Sequence, residues 1–248
     1  MSLEAHNVHH RYGPAVALDG ASVRVPVGAL VALVGESGSG KTTLLRTFNR
    51  LVEPASGTVS VGGEDVRHAD PITLRRRIGY VPQHGGLLPH WTVLRNVALV
   101  PRLAGMDDPD NAAAEALERV GLPAATFGAR LPRELSGGQR QRAAIARALA
   151  ARQQVVLLDE PLGALDAISR GEAYDAFARV RAEIGFTALL VTHDLAEAAR
   201  LADSVVVMRA GRVEQAGALA ELRRAPATAY VRMLFERAHA AGAALEMA

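Results

Sequence analysis

Cysteine is absent from the 248 residues, which excludes a disulfide scaffold. Aromatic residues make up 4% of the chain, and tryptophan occurs once. Neither sign of charge prevails: 28 Lys+Arg face 26 Asp+Glu, and a formal net charge of +2 does not by itself mark a nucleic-acid protein, although the pI is about 9.4. No run approaches the roughly 18 uninterrupted apolar residues that a membrane span needs, and the N-terminus has no basic stretch leading into an apolar core. These absences predict a cytoplasmic, soluble protein. What is present is a 49% hydrophobic chain, too apolar for disorder and long enough for one large domain or two smaller ones.

The scarcest residue is the most informative. Of the 28 basic residues, Lys41 alone is lysine. A compact ammonium on a flexible stem closes around one phosphate oxygen in a way that the broad arginine fork does not, so chemistry explains an exception in a chain otherwise committed to arginine.

Residues 1–34 alternate as strands do, with Val23, Val25 and Val27 expected on one side, and Leu30–Val34 reads as a buried strand running into glycines. Thr58–Val61 followed by Gly62-Gly63 predicts a hairpin and so an antiparallel patch beside a parallel sheet. Buried runs at Ile78–Val81, Val155–Leu158, Ala188–Val191 and Ser204–Met208 are separated by helical stretches, which argues for an α/β domain. The Ala-rich stretches Asn111–Val120 and Ser136–Ala151 have no strand between them, and a helical subdomain is expected over residues 84–154. After Pro226, Tyr230, Met233 and Leu234 fall at helical spacing, predicting a short helix in a C-terminal tail over 226–248. There is no internal repeat.

Gly35-Glu36-Ser37-Gly38-Ser39-Gly40-Lys41-Thr42 follows a strand and opens a helix, the context in which this glycine-rich pattern cradles phosphates. Loop amides and the positive end of the helix suit the α- and β-phosphates, Lys41 the β/γ oxygens, and the Thr42 hydroxyl magnesium. Val155–Leu158 ends in Asp159-Glu160. Asp159 is suited to hold magnesium, and Glu160 to orient and deprotonate an attacking water. A solvated turn before Pro161 is the alternative. Leu135-Ser136-Gly137-Gly138-Gln139 precedes a helix, with Ser136 as N-cap and glycines that expose amides. That is either a simple capped helix or a second anion site, which one nucleotide needs only if two copies of the chain each supply one half.

Together these elements resemble the ATP-binding subunits of ABC transporters, whose signature matches Leu135–Gln139 letter for letter, and the resemblance covers essentially the whole chain. It implies a P-loop α/β core with a mixed sheet, an antiparallel β patch and an inserted helical subdomain, in a single ATP-binding domain. It also implies ATP with Mg2+, and a head-to-tail homodimer in which ATP on Gly35–Thr43 of one copy is closed by Ser136, Gly137 and Gly138 of the other. Tyr12 matches the aromatic residue that stacks on adenine, Gln83 the glutamine linking magnesium to the membrane partner, Asp166 the loop that crosses the dimer, and His193 the γ-phosphate sensor. One departure stands out: Gly163 replaces the usual serine of the stretch Gly163-Ala164-Leu165-Asp166.

The resemblance further implies transmembrane permease subunits, an extracytoplasmic solute-binding protein, a place on the cytoplasmic face of the membrane, and no nucleic-acid partner. Residues 75–101 are similar to the subgroup that energises uptake of glycine betaine, choline and related osmoprotectants. Import of another small polar solute such as an amino acid is the alternative, as is a non-transport ATPase of the iron–sulfur assembly or cell-division type. In the segment after Gln83, Leu88 and the lone Trp91 belong either to the core or to the permease dock.

Overall fold

The computed structural model describes residues 1–83, 85–163 and 165–246. In chain order these form β1 (Leu3–Tyr12), β2 (Ala15–Val25), β3 (Leu30–Val34), α1 (Lys41–Thr47), β4 (Ser56–Val61), β5 (Glu64–Asp65) and α2 (Pro71–Arg77). There follow β6 (Ile78–Val81), α3 (Val93–Leu103), α4 (Pro109–Arg119), α5 (Ala124–Phe127), a 3₁₀ turn (Pro132–Glu134), α6 (Gly137–Leu149), β7 (Val155–Asp159) and α7 (Ala167–Ile184). The chain continues through β8 (Thr187–Val191), α8 (Leu195–Leu201), β9 (Ser204–Arg209), β10 (Arg212–Gly217), α9 (Leu219–Arg224) and α10 (Ala229–Glu246). They divide into two compact units, one of residues up to Ala69 together with those from Ala188 onward, the other Asp70–Thr187.

The first unit holds an antiparallel sheet in the order β2-β1-β4-β5, closed by the expected turn at Gly62-Gly63. Beside it, β3 runs parallel to both β8 and β9, and β10 pairs antiparallel with β9. Partners on both edges bury every residue of β3, which is why Leu30–Val34 is apolar without alternation. Leu44, Leu45 and Phe48 carry the inner face of the helix that follows. Val27 departs from the expected alternation: β2 ends at Val25, and Val27 sits beyond it with 71% of its surface exposed. The tail helix α10 has 18 residues, not the few predicted, because the Ala-rich end that fades hydrophobically still favours helix. Residues 247 and 248 of the expected tail lie outside the described residues.

In the second unit β6 and β7 pair in parallel, from Ile78 with Val155 to Val81 with Leu158. Helices α3 to α6 fill the stretch between them, and His84, the expected first residue of the helical subdomain, lies outside the described residues. Buried Asn96 ties down the turn into α3: it accepts from Leu88 N at 2.7 Å and donates to Leu88 O at 3.0 Å and Trp91 O at 3.1 Å. The core alternative for Leu88 fails, since its side chain is exposed, while half-buried Trp91 is covered by the Arg95 guanidinium 4.1 Å from its ring centre.

Candidate functional site

The glycine-rich turn after β3 is shaped by backbone that side chains would block. A Cβ at Gly35 would lie 2.2 Å from Met208 O, and one at Gly40 would lie 2.4 Å from Ala17 O, with φ of +148° and +99°. Glycine is therefore required at both positions. Gly38, also at positive φ, stands in the open with Glu36 and Ser37, whereas Ser39 is buried. Gly40 caps α1 with no side-chain hydrogen bond. Lys41, 4% exposed, folds its ammonium back onto the turn, donating to Gly35 O at 2.8 Å, Glu36 O at 2.7 Å and Ser39 Oγ at 3.3 Å. A charged amine at that burial persists because oxygens surround it. Thr42 and Thr43 remain partly exposed at the start of the helix.

Two more predicted residues belong to this unit. Tyr12 ends β1 with 53% of its surface exposed, and His10 meets its ring edge-on at 4.6 Å between centres. His193 follows β8 on an exposed turn whose flanks are fixed. Thr192 Oγ1 donates to Glu197 Oε2 at 2.5 Å and accepts from Asp194 N at 3.0 Å, while Asp194 Oδ1 accepts from Ala196 N at 2.8 Å. Glu197 and Thr192 are both buried, so the neighbours of His193 are held while His193 itself is exposed.

The second unit brings Asp159, Glu160 and Gln83 together. Strand β7 is buried throughout and delivers Asp159 at 0% exposure, where Tyr80 Oη donates to Asp159 Oδ2 at 3.3 Å. Glu160, the next residue, has a left-handed backbone with φ of +47°, a conformation costing of order 1 kcal/mol for a residue with a Cβ. That turn aims its side chain at Gln83, whose Nε2 donates to Glu160 Oε2 at 3.1 Å. Just beyond Gln83, Arg147 of α6 donates to Gly85 O at 2.9 Å and Gly86 O at 2.6 Å. Burial pushes the Arg147 guanidinium pKa down, and the two carbonyls partner it there.

Ser136 caps α6 as expected. Its Oγ accepts from Gln139 N at 3.2 Å, and Gln139 Oε1 accepts from Ser136 N at 3.0 Å, a reciprocal box that commits the Gln139 side chain. Ser136 and Gly137 are exposed, and Gly138 is buried where a Cβ would lie 2.8 Å from Ser169 Cβ. Asp166 caps α7, accepting from Ser169 N at 3.0 Å and Ile168 N at 3.1 Å, and the Ser169 amide bond foremost holds its carboxyl below the usual range. Ala164 of the same stretch lies outside the described residues.

Sequence reasoning missed Tyr80, the Thr192–Glu197 pair and the hydroxyl of Tyr230. Tyr80 is the one polar-tipped side chain in the short strand Ile78–Val81 and the one not fully buried, and a buried-run reading of that strand passes over its hydroxyl. Among the described residues no group of three or more His, Cys, Asp or Glu could by itself hold a metal ion. The residues expected to serve magnesium carry hard oxygens of the kind that ion takes alongside phosphate: the Thr42 hydroxyl in the first unit, and the Asp159 carboxylate and Gln83 amide oxygen in the second. No helix among the described residues is long and apolar enough to cross a membrane.

Residues 18–163 match the family described as ABC transporter. The chain is 42% identical, over 88% of its length, to an osmoprotectant import ATP-binding protein of Salmonella typhimurium, and 42% identical, over 95%, to a glycine betaine uptake system ATP-binding protein of Escherichia coli. It is 47% identical, over 89%, to a sulfate/thiosulfate import ATP-binding protein of Mycobacterium bovis. It spans 58%, 77% and 62% of the lengths of those three relatives. Among solved structures, a dimeric ATP-binding cassette in a post-hydrolysis state with ADP and phosphate superposes with a TM-score of 0.78 at 31% identity, covering 88% of this chain and 98% of that one. Fold, motifs and relatives agree that the chain belongs to the ABC transporter family.

Proposed function

We propose that this chain hydrolyses ATP to drive a membrane permease that imports an osmoprotectant or quaternary amine such as glycine betaine or choline. The observation that carries the hydrolytic part is the 3.1 Å hydrogen bond from Gln83 Nε2 to Glu160 Oε2, at the end of a buried strand whose last carboxylate, Asp159, is held by Tyr80. A carboxylate oriented in this way suits general-base catalysis, worth ~10²–10⁴ in rate. Glu160 takes a proton from water as the water oxygen bonds the γ-phosphorus, and the bridging bond to the β-phosphate breaks to leave ADP and phosphate. Gly35–Thr43 bind the phosphates, with Lys41 at the β/γ oxygens. Tyr12 stacks on adenine, and His193 reads the γ-phosphate. Thr42, Asp159 and Gln83 would hold magnesium, which when bound neutralises phosphate charge.

Ser136, Gly137, Gly138 and Gln139 serve a second copy. An exposed serine and a glycine at the head of α6 present a hydroxyl and amides to phosphate on that copy, and Asp166 lies on the loop that meets it. The dimeric cassette of the same fold favours this arrangement. Permease subunits would dock on the Gln83–Trp91 segment at the cytoplasmic face of the membrane, in a system completed by a solute-binding protein. For the cargo, relatives named for osmoprotectant, carnitine, choline and glycine betaine transport at 39% to 42% identity support a quaternary amine. The 47% identity to a sulfate/thiosulfate import protein favours sulfate as the second reading.

Purification from native cells in mild detergent tests the assignment. Recovery of a multi-span permease with a solute-binding protein is expected, and that binding protein takes glycine betaine or choline and not sulfate. Recovery of soluble partners alone would move the chain to a non-transport role.

A further inference from the structure

The glycine-rich turn is braced from behind by the last part of the chain. Gly35 passes close to Met208 O, and Gly211 N donates to Ser39 O at 3.0 Å. Both are main-chain contacts. A third comes from a side chain: Glu36 N donates to the hydroxyl of Tyr230 at 3.0 Å.

Tyr230 is the second residue of α10, 3% exposed, next to fully buried Val231, and the Arg209 guanidinium sits 4.8 Å from its ring centre. The phenol is thus held by packing on the tail helix, while the residue whose amide it receives is exposed. Because a peptide unit is planar and trans, fixing Glu36 N–H on one side fixes Gly35 C=O on the other. That carbonyl accepts from Lys41 Nζ at 2.8 Å. One rigid amide therefore lies between a tyrosine of the C-terminal helix and the solitary lysine.

We propose that Tyr230 is a positioning residue for the ATP site, its hydroxyl setting the 35–36 peptide and through it the resting place of the Lys41 ammonium. The inference rests on the proposal that this turn binds the phosphates of ATP. It gives α10 a defined point of action on the nucleotide: a movement of the helix that withdraws the hydroxyl releases the peptide and lowers affinity, leaving the hydrolytic carboxylate untouched.

Tyr230→Phe removes one oxygen and keeps the ring beneath Arg209, so the fold persists. Titration with ATP and steady-state hydrolysis should show Kd and KM raised roughly three- to tenfold, the value of one hydrogen bond, with kcat within about twofold of the parent. In nucleotide-free protein, hydrogen exchange at the Glu36 amide should speed up. Affinity within twofold of the parent, or tighter, overturns the proposal even if exchange is faster, because the bond would then be packing alone. Unchanged exchange also overturns it. If the parent protein itself binds no ATP, the nucleotide assignment falls, an outcome seen before any variant is made.

Discussion

The first unit shapes its glycine-rich turn largely with main chain, and the second holds the end of β7 with side chains. Around Gly35, Gly40 and Lys41 most of the close neighbours described above are carbonyls and amides of Met208, Ala17, Gly211 and the turn itself, with the hydroxyls of Ser39 and Tyr230 added to them. Asp159 and Glu160 are met by the tips of Tyr80 and Gln83. A surface built from backbone repeats one hydrogen-bonding pattern and suits a charged, invariant group such as phosphate. Carboxylates held by a phenol and an amide can be reset one oxygen at a time. Binding and turnover should therefore be separable, the first failing through added volume and the second through lost polar atoms.

The largest expected effect lies in the second unit. Glu160→Gln should retain ATP binding and accumulate as a dimer while kcat falls ~10²–10⁴-fold. Steady hydrolysis by this variant would remove the division, since the base would then lie elsewhere. Gly35→Ala is the counterpart in the first unit. Its Cβ has no room beside Met208 O, and a left-handed or otherwise sparse backbone costs about 1–3 kcal/mol to impose, so ATP affinity should fall more than tenfold in a binding titration.

Tyr80→Phe sharpens the contrast. Loss of a hydrogen bond to a charged group, at a long 3.3 Å, should reduce kcat roughly fivefold with Kd for ATP unchanged. Ser136→Ala should cost about 1 kcal/mol of stability as a lost N-cap, lowering Tm by roughly 2–4 °C in a calorimeter. The smallest effect concerns acid. Ser169 bonds hold Asp166 below the usual carboxylate range, and Arg212 does the same for Asp19. A carboxyl whose folded pKa is depressed stabilises the fold above its unfolded pKa, and that contribution is lost as pH falls through the folded value. Tm should thus decline below about pH 4. Asp19→Asn should remove a share that added salt also removes, and Asp166→Asn a share that salt leaves, because one rests on an exposed ion pair and the other on amides.

Much of this was legible because the chemistry is local. The turn at Gly35–Thr42, the Ser136 cap and the strand ending at Asp159 are each written within a few residues, where glycine, serine or a run of β-branched and aliphatic side chains leaves little choice of backbone. The Gln83–Glu160 and Tyr80–Asp159 bonds join residues far apart in the chain, and no periodicity reports such a meeting. Tyr230 was read as one apolar tooth of a helix, which it is, but its ring and its hydroxyl answer to different neighbours. Val27 failed for a simpler reason. Alternation holds only while strand pairing continues, and the turn at Gly28 had already ended it.

Lys41 has a consequence for anyone handling the protein. As the sole lysine, it is the single side-chain amine available to acylating dyes, crosslinkers and chip-coupling reagents, and it is buried beneath the oxygens of its own turn. Labelling at a lysine therefore doubles as a chemical stethoscope. Its rate reports how often the turn opens, and if Lys41 serves the phosphates as proposed, a reagent that succeeds silences the molecule it marks.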